Sequence, residues 1–170
     1  MLSLIQHPNP ILDKFLPDFN FDQPIADPVV LEEQLIEVMV KENGIGLAAN
    51  QAGIETRAFA IKTQNISEII LPFVAFNPEV LAVSEDMEYD YEGCLSFPNL
   101  FFKVNRPKTI LAKFLDRSAN ECIIELTGID ARCFLHELDH LNGICFIDRT
   151  SKLKLDLAIK KQRKRNGRTK

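Results

Sequence analysis

The stretch His136-Glu137-Leu138-Asp139-His140 holds residue types that bind a metal ion or activate water held on one. On an α-helix, residues i and i+4 share a face, so His136 and His140 would present both imidazoles to one point. Glu137 beside them completes the pattern H-E-x-x-H, in which the carboxylate is general base and not ligand. A catalytic site of this kind needs one more protein ligand. The chain has 3 histidines, and the remaining one, His7, lies in a Pro-rich N-terminal stretch. A cysteine or a carboxylate must therefore complete the set. The plain alternative is a helix whose surface happens to carry two histidines and two acids.

The elements that must position these residues are signalled locally. Thr127 with Asp130 three residues later reads as a capping box, and Asn142-Gly143 supplies a left-handed residue to end the helix, which predicts a helix from Ile129 to Leu141. A second helix is predicted from Asp27 as N-cap and Pro28 at the first position. It runs through Val29, Leu31, Leu35, Val38 and Met39 to Asn43-Gly44, with Glu32, Glu33, Glu37 and Glu42 on a wet face. Residues 1–26 read as an irregular arm anchored by Ile5, Ile11, Leu12 and Phe15.

Gly44 to Gln51 contains G-x-G-x-x-A, the spacing of a dinucleotide fingerprint. That fingerprint follows a strand and opens a helix, whereas here it follows a helix and leads toward a strand. A loop along which a peptide can lie as an added strand is the better reading. Short runs rich in branched and aromatic residues then predict strands at Arg57 to Lys62, Leu71 to Phe76, Val80 to Val83, Thr109 to Leu115 and Cys122 to Leu126. Asn77-Pro78 and Asp116 to Asn120 read as turns, and the acidic Ser84 to Tyr91 as a loose stretch. Strands in the middle and helices at either end give an α+β class. Antiparallel β-sheets would pack around a central metal-binding helix, flanked by an N-terminal helix and a C-terminal helical tail.

With 170 residues at 46% hydrophobic composition, the expectation is one domain spanning 1–170. There is no run of eighteen apolar residues and no secretory layout, so no membrane role is expected and the cytoplasm is the default location, in a cell, an organelle or a host. Cys94, Cys122, Cys133 and Cys145 form no C-x-x-C pair, so reduced thiols are expected, and Cys94 is free to be a ligand. The net charge of −4 is lopsided: residues 151–170 carry nine Lys or Arg against Asp156, leaving −12 for the rest. That basic tail, 152–170, can meet phosphate on RNA or a ribosome, or can be a solvated helix end that frays after Gly167. No DNA contact is expected.

Three segments in order make the reading specific. Gly44 to Gln51 resembles G-φ-G-φ-A-A-x-Q, Glu92 to Ser96 resembles E-G-C-L-S, and His136 to His140 resembles H-E-x-D-H, together the pattern of the peptide deformylases. The resemblance extends through Val104-Asn105-Arg106-Pro107, Ala131-Arg132 and Leu141-Asn142-Gly143. Leu135 departs from it, standing where the family commonly has Gln.

The resemblance implies a metal-dependent hydrolase that removes the formyl group from N-formylmethionine at the end of a nascent polypeptide, releasing formate. Cys94, His136 and His140 would hold the ion, Fe(II) by resemblance, with zinc, nickel or cobalt suited to the same N₂S set. Metal-held hydroxide would attack the formyl carbon, with Glu137 as general base and then acid. Gln51 and the Leu95 N–H would be the oxyanion donors. Ile45, Ile129, Arg132 and Cys133 would wall a methionine pocket, and Gly46 and Gly93 would pair with the peptide. Read from the residues themselves, Arg106 either ion-pairs Asp139 and steadies the metal helix from behind or is an ordinary surface charge. The rival readings are a zinc metallopeptidase or amidase of other specificity, and a non-catalytic metal-stabilised module that binds RNA or the ribosome.

Overall fold

The run Ala58-Phe59-Ala60-Ile61 is wholly buried, and its alternation of small and large side chains shows why. Ala58 and Ala60 lie in one apolar cluster and Phe59 and Ile61 in another, so this strand is covered on both faces. The computed structural model of the chain describes residues 2–64 and 72–166, the last four of these by backbone alone. Within them, helix and antiparallel sheet alternate in the order α1 (Pro28–Lys41), β1 (Gly46–Ala48), β2 (Ala58–Ile61), β3 (Phe73–Val83), β4 (Met87–Cys94), β5 (Phe97–Pro107), β6 (Thr109–Leu115), β7 (Glu121–Thr127), α2 (Gly128–Leu141) and α3 (Lys152–Asn166). Five strands form one sheet in the order β1-β2-β3-β6-β7, and β4 with β5 forms a separate hairpin.

Helix α1 covers one face of the five-stranded sheet: Leu31, Leu35, Val38 and Met39 pack with Ala58, Ala60, Val74 and Phe76. Helix α2 covers the other through Ala131, Cys133, Phe134 and Leu141, which pack with Phe59, Ile61, Ala75 and Ile110. A third cluster joins Phe97, Leu100, Phe102 and Val104 of β5 to Leu12, Cys145 and Phe146, with Leu155, Ala158 and Ile159 of α3 against it. The two-stranded hairpin is thereby held against α3 and the segment that follows α2. Among the described residues no helix is long and apolar enough to cross a membrane.

Several local expectations are modified. Asp27 caps α1, accepting from the N–H groups of Val29 and Val30, and α1 ends beside Asn43 in the left-handed region (φ 56°). Thr127 stands at the N-cap of α2 but forms no side-chain cap bond; the Asp130 carboxylate accepts from the Gln64 N–H instead, at 2.9 and 3.1 Å. Asn77-Pro78 lies inside β3 and not between two strands. There Asn77 adopts φ 48° in a bulge and bonds both the N–H and the carbonyl of Phe19, at 2.7 and 3.0 Å, which removes the need for a chain reversal.

The acidic stretch read as loose contains the start of β4, and Phe97–Pro107 is a strand despite its terminal prolines. Gly46–Ala48, expected as loop, pairs with β2 as a short edge strand. Leu71, at the start of one predicted strand, lies outside the described residues, as does the tail from Gly167. The turn Asp116 to Asn120 forms as expected, with the Asp116 carboxylate accepting from the Ser118 and Asn120 N–H groups.

The N-terminal arm is tied to the end of α2. The Leu16 N–H donates to the Leu141 carbonyl at 2.9 Å, and Gly143 follows with φ +70°. A Cβ on Gly143 would come within 2.6 Å of the Asp13 carbonyl oxygen, a backbone atom with no easy way to move. Gly143→Ala combines left-handed strain with that clash, and is expected to destabilise the protein by about 1–3 kcal/mol, read as a lower urea midpoint with unchanged slope.

Candidate active site

One hairpin and one helix bring the chemistry together. β4 carries Glu92, Gly93 and Cys94; α2 carries Arg132, Cys133, His136, Glu137, Asp139 and His140; the 3-10 turn Ala49–Ala52 carries Asn50 and Gln51. The ligand atoms of Cys94, His136 and His140 lie within 4.8 Å of one another. Cys94 Sγ stands 3.2 Å from His140 Nε2, and the two imidazole rings meet edge to face at 5.1 Å. Ligands at the usual bond lengths around a tetrahedral ion are about 3.5 Å apart, so one thiolate and two ring nitrogens at these separations fit a divalent cation.

The electrostatics agree with that fit. Burial alone would pull His136 down, yet its hydrogen bonds to Cys94 and Glu92 outweigh this and hold it up at about 10. His140 is pushed well below its ordinary value by burial and by the charge of His136, and stays neutral. The pocket between Cys94 and Glu92 therefore favours one positive charge, a proton or a metal ion in its place.

Glu92 is the residue the sequence reading quoted in a motif without giving it a role. Its carboxylate accepts from Arg106 Nε at 2.8 Å and Nη2 at 3.0 Å, and from Arg132 Nη1 at 2.9 Å, and it meets His136 Nδ1 at 3.0 Å. Burial opposes its charge, but these partners, Arg106 foremost, hold it down at about 2. With His136 Nδ1 engaged in this way, the other ring nitrogen is left for a metal. The signal available in sequence was indirect: Arg132 stands in the run Ala131-Arg132-Cys133-Phe134, where a guanidinium turned inward would need a buried acid. Arg106 Nη1 also donates to Asp139 Oδ2 at 2.6 Å, the ion pair expected from sequence.

A cavity of about 490 Å³ opens beside this cluster and is bordered by Ile45, Gly46, Gly93, Leu95, Ile129, Arg132, Cys133, His136 and Glu137, among others. The guanidinium of Arg132 is buried and engaged with Glu92 and with the carbonyls of Glu88, Asp90 and Val104, so it also staples the hairpin to α2. Cys133 Sγ donates to the Ile45 carbonyl at 3.4 Å. A Cβ on Gly46 would run into the Glu137 carboxylate and lie 2.7 Å from Cys133 Sγ, so a larger residue at this edge of the cavity would displace those side chains.

Glu137 is buried beside the donor trio, with Oε2 lacking a hydrogen-bond partner among the described residues. Burial raises its carboxyl to about 7, His136 opposing. Gln51 is fixed by the Ala48 N–H on its Oε1 at 2.9 Å, so its Nε2 points to Ser96 Oγ at 3.1 Å and Cys94 Sγ at 3.4 Å. Asn50, also unforeseen, donates from Nδ2 to the His140 carbonyl at 2.9 Å. Leu95, in the turn between β4 and β5, is braced by Gln6 Nε2 on its carbonyl at 3.2 Å.

Residues 1–156 match the family model described as Polypeptide deformylase. The chain belongs to the peptide deformylase family. Over 140 residues it is 40% identical to the Peptide deformylase of Agrobacterium fabrum, covering 82% of each chain. Over 165 residues it is 37% identical to that of Bartonella henselae, covering 97% of this chain and 93% of that one. Among solved structures, the deformylase of Thermotoga maritima superposes with a TM-score of 0.80 at 36% identity, covering 89% of this chain and 98% of that one. The Synechococcus elongatus enzyme, solved in complex with actinonin, gives 0.83 at 31%, covering 95% and 87%. The chain is thus an enzyme of a metal-dependent hydrolase family that acts in protein biosynthesis, with the mixed helix and antiparallel sheet architecture of these relatives.

Glu92 makes the fold acid-sensitive in a definite window. Its folded value of about 2 lies below its ordinary 4.5, so its stabilising contribution is complete above about pH 4.5 and is lost as the pH falls through about 2. A shift of this size corresponds to roughly 3 kcal/mol. Denaturant titrations of wild type and Glu92→Gln between pH 6 and 2 should show the wild type losing stability over this window. The variant, weaker at pH 6, should show a flatter dependence.

Proposed function

We propose that the chain hydrolyses the formyl group from N-formylmethionine at the amino terminus of nascent polypeptides, giving formate and a free amine. The observation that carries this is the convergence of Cys94, His136 and His140 beside one cavity that Cys94, His136, Glu137 and Gln51 line, with a Glu137 oxygen unpartnered among the described residues and the Gln51 amide beside Cys94. Family membership sets the reaction class.

Cys94, His136 and His140 would hold a divalent cation, which when bound would supply Lewis acidity and lower the pKa of water toward neutrality. Glu137, held up at about 7 by burial, takes the proton from the attacking water and returns it to the departing amine. The Gln51 side-chain amide and the Leu95 N–H donate to the oxygen that becomes negative on the formyl carbon, and Ala48 keeps the Gln51 amide from turning its carbonyl toward that charge. Ile45 and Ile129 are each more than a third exposed at the cavity, apolar area that a methionine side chain would cover against Cys133 and the stem of Arg132. Gly46 and Gly93 border the same cavity, and their bare backbone suits pairing with an extended peptide.

Fe(II) is the ion proposed for the working enzyme, with zinc, nickel or cobalt accepted by the same donors. Residues 1–170 are proposed to act as one catalytic unit in the cytoplasm. Supporting this, Gln162 Nε2 of α3 donates to the Pro98 carbonyl of β5 at 2.6 Å. The basic stretch 152–170, with Lys152, Lys154, Lys160 and Lys161 exposed, is proposed to touch ribosomal phosphate.

Formate release from formyl-Met-Ala-Ser tests the reading directly. Glu137→Ala should lose on the order of 10²–10⁴-fold in kcat while keeping its metal; full activity in that variant would refute the proposed base. Iron-loaded protein should lose activity in air and regain it when nickel or cobalt replaces the ion, since only Fe(II) among these oxidises readily beside a thiolate. Equal air stability of the iron and nickel forms would exclude iron as the labile partner.

A further inference from the structure

The 3-10 turn Phe146–Arg149, which follows α2, reaches the metal-ligand cluster by two routes. Phe146 stacks on Phe102 at 4.4 Å and lies against the His136 ring at 5.8 Å. Arg149 places its guanidinium on Asp139: Nε donates to Oδ2 at 3.0 Å, and Nη2 donates to Oδ1 in a shorter contact. Asp139 Oδ2 also accepts from Arg106 Nη1 at 2.6 Å, Arg106 donates to Glu92 from its other two nitrogens, Nε and Nη2, at 2.8 and 3.0 Å, and Glu92 Oε2 meets His136 Nδ1 at 3.0 Å. From Arg149 to the imidazole, every link involves an ionised partner, the strong kind of hydrogen bond. Arg149 is the one member with a substantially exposed side chain, 43% against 3–9% for the others.

We propose that Arg149 is a positioning residue for His136, acting through Asp139, Arg106 and Glu92. The inference rests on the metal-site part of the function proposed above and not on the identity of the substrate. Asp139 has one carboxylate to share between two guanidinium groups, and Arg149 occupies Oδ1 fully and Oδ2 in part. That leaves Arg106 a single bond to Asp139 and keeps its planar fork turned toward Glu92. Without Arg149, the buried Oδ1 loses its partner among the described residues. The carboxylate then turns to take a second donor from Arg106, the fork rotates off Glu92, and the hydrogen bond that orients the His136 ring slackens. The direction in which a ligating imidazole points is set by the bond at its other nitrogen.

The test uses the full chain loaded with cobalt(II), comparing wild type with Arg149→Met, Arg149→Lys and, as a charge control, Arg117→Met. Arg117 pairs with Glu32 of α1 at 3.2 Å, outside the network. Readouts are cobalt release to a competing chelator, the visible cobalt-thiolate spectrum, Tm, and kcat and KM for formate release. Removing a group that touches a ligand typically costs 10–100-fold in metal affinity or activity; from its more distant position, Arg149→Met should release cobalt roughly 3- to 10-fold faster. Its cobalt bands should shift, and kcat should fall with KM nearly unchanged. Arg149→Lys keeps the charge but not the fork, so it should lie between the Met variant and wild type. Arg117→Met should match wild type throughout.

A Met variant with lower Tm but wild-type cobalt release and spectrum would reduce Arg149 to a structural role and overturn the proposal. If the Met variant does not fold, the Lys variant decides: faster cobalt release than wild type supports the proposal and equal release overturns it. A wild type that binds cobalt yet releases no formate would sink the substrate reading, leaving the cobalt comparison to judge Arg149. A wild type that binds no cobalt would sink both.

Discussion

A single carboxylate, that of Glu92, is where the hairpin, the central helix and the metal-ligand set meet. It lies buried within reach of two guanidinium groups and an imidazole, contributed by β5 and α2. An ionised group taken out of water in this way is tolerated only when its partners replace the lost hydration, and removing one partner strands the rest. The four contacts therefore act as one joint. They hold β4 against α2, and they fix the ring of His136 at Nδ1, the nitrogen on the Glu92 side. The five-stranded sheet meets α2 through apolar side chains, among them Phe59, Ile61, Ala75 and Ile110.

The sheet has a different task. β2 is covered by α1 on one side and α2 on the other, with alanines toward α1 and the larger Phe59 and Ile61 toward α2. Packing of this kind leaves α2 little freedom to shift, so the helix that carries His136, Glu137 and His140 is set against a wall. The arm at the N-terminus closes the far end, where the Leu141 carbonyl accepts from Leu16 and Gly143 lets the chain turn against Asp13.

Two glutamates near His136 show how environment assigns roles to identical groups. Glu92, surrounded by donors, is held at about 2 and stays ionised. Glu137, equally buried but with one oxygen unpartnered among the described residues, is raised to about 7, where a proton is exchanged readily near neutral pH. Pairs of carboxyls driven apart in this way mark a division between a structural anion and an acid-base group. The aliphatic rim beside them, with Ile45 and Ile129 partly exposed, borders the same cavity as Glu137.

Helix-encoded features were legible in the residues themselves. The i, i+4 spacing of His136 and His140, the Asp27 cap with Pro28 behind it, and the end of α2 at Asn142-Gly143 depend on contacts a few positions apart, and local chemistry decides them. The strand Thr109–Leu115 and the turn at Asp116 were readable for the same reason. Features that depend on distant partners were not. Asp130 gives up its expected cap for the Gln64 N–H, Asn77 leaves a turn for a bulge pinned to Phe19, and an acidic run becomes a strand because β5 lies opposite. Glu92 belongs with these: it follows a stretch that reads as loose, and its part in the site comes from Arg106, Arg132 and His136, which lie 14 to 44 positions away. The sequence by itself determined which residue types were present and which of them shared a helix face. Tertiary structure alone decided which charges would face one another in a buried place, because the cost of burying a charge depends on every partner the fold brings to it.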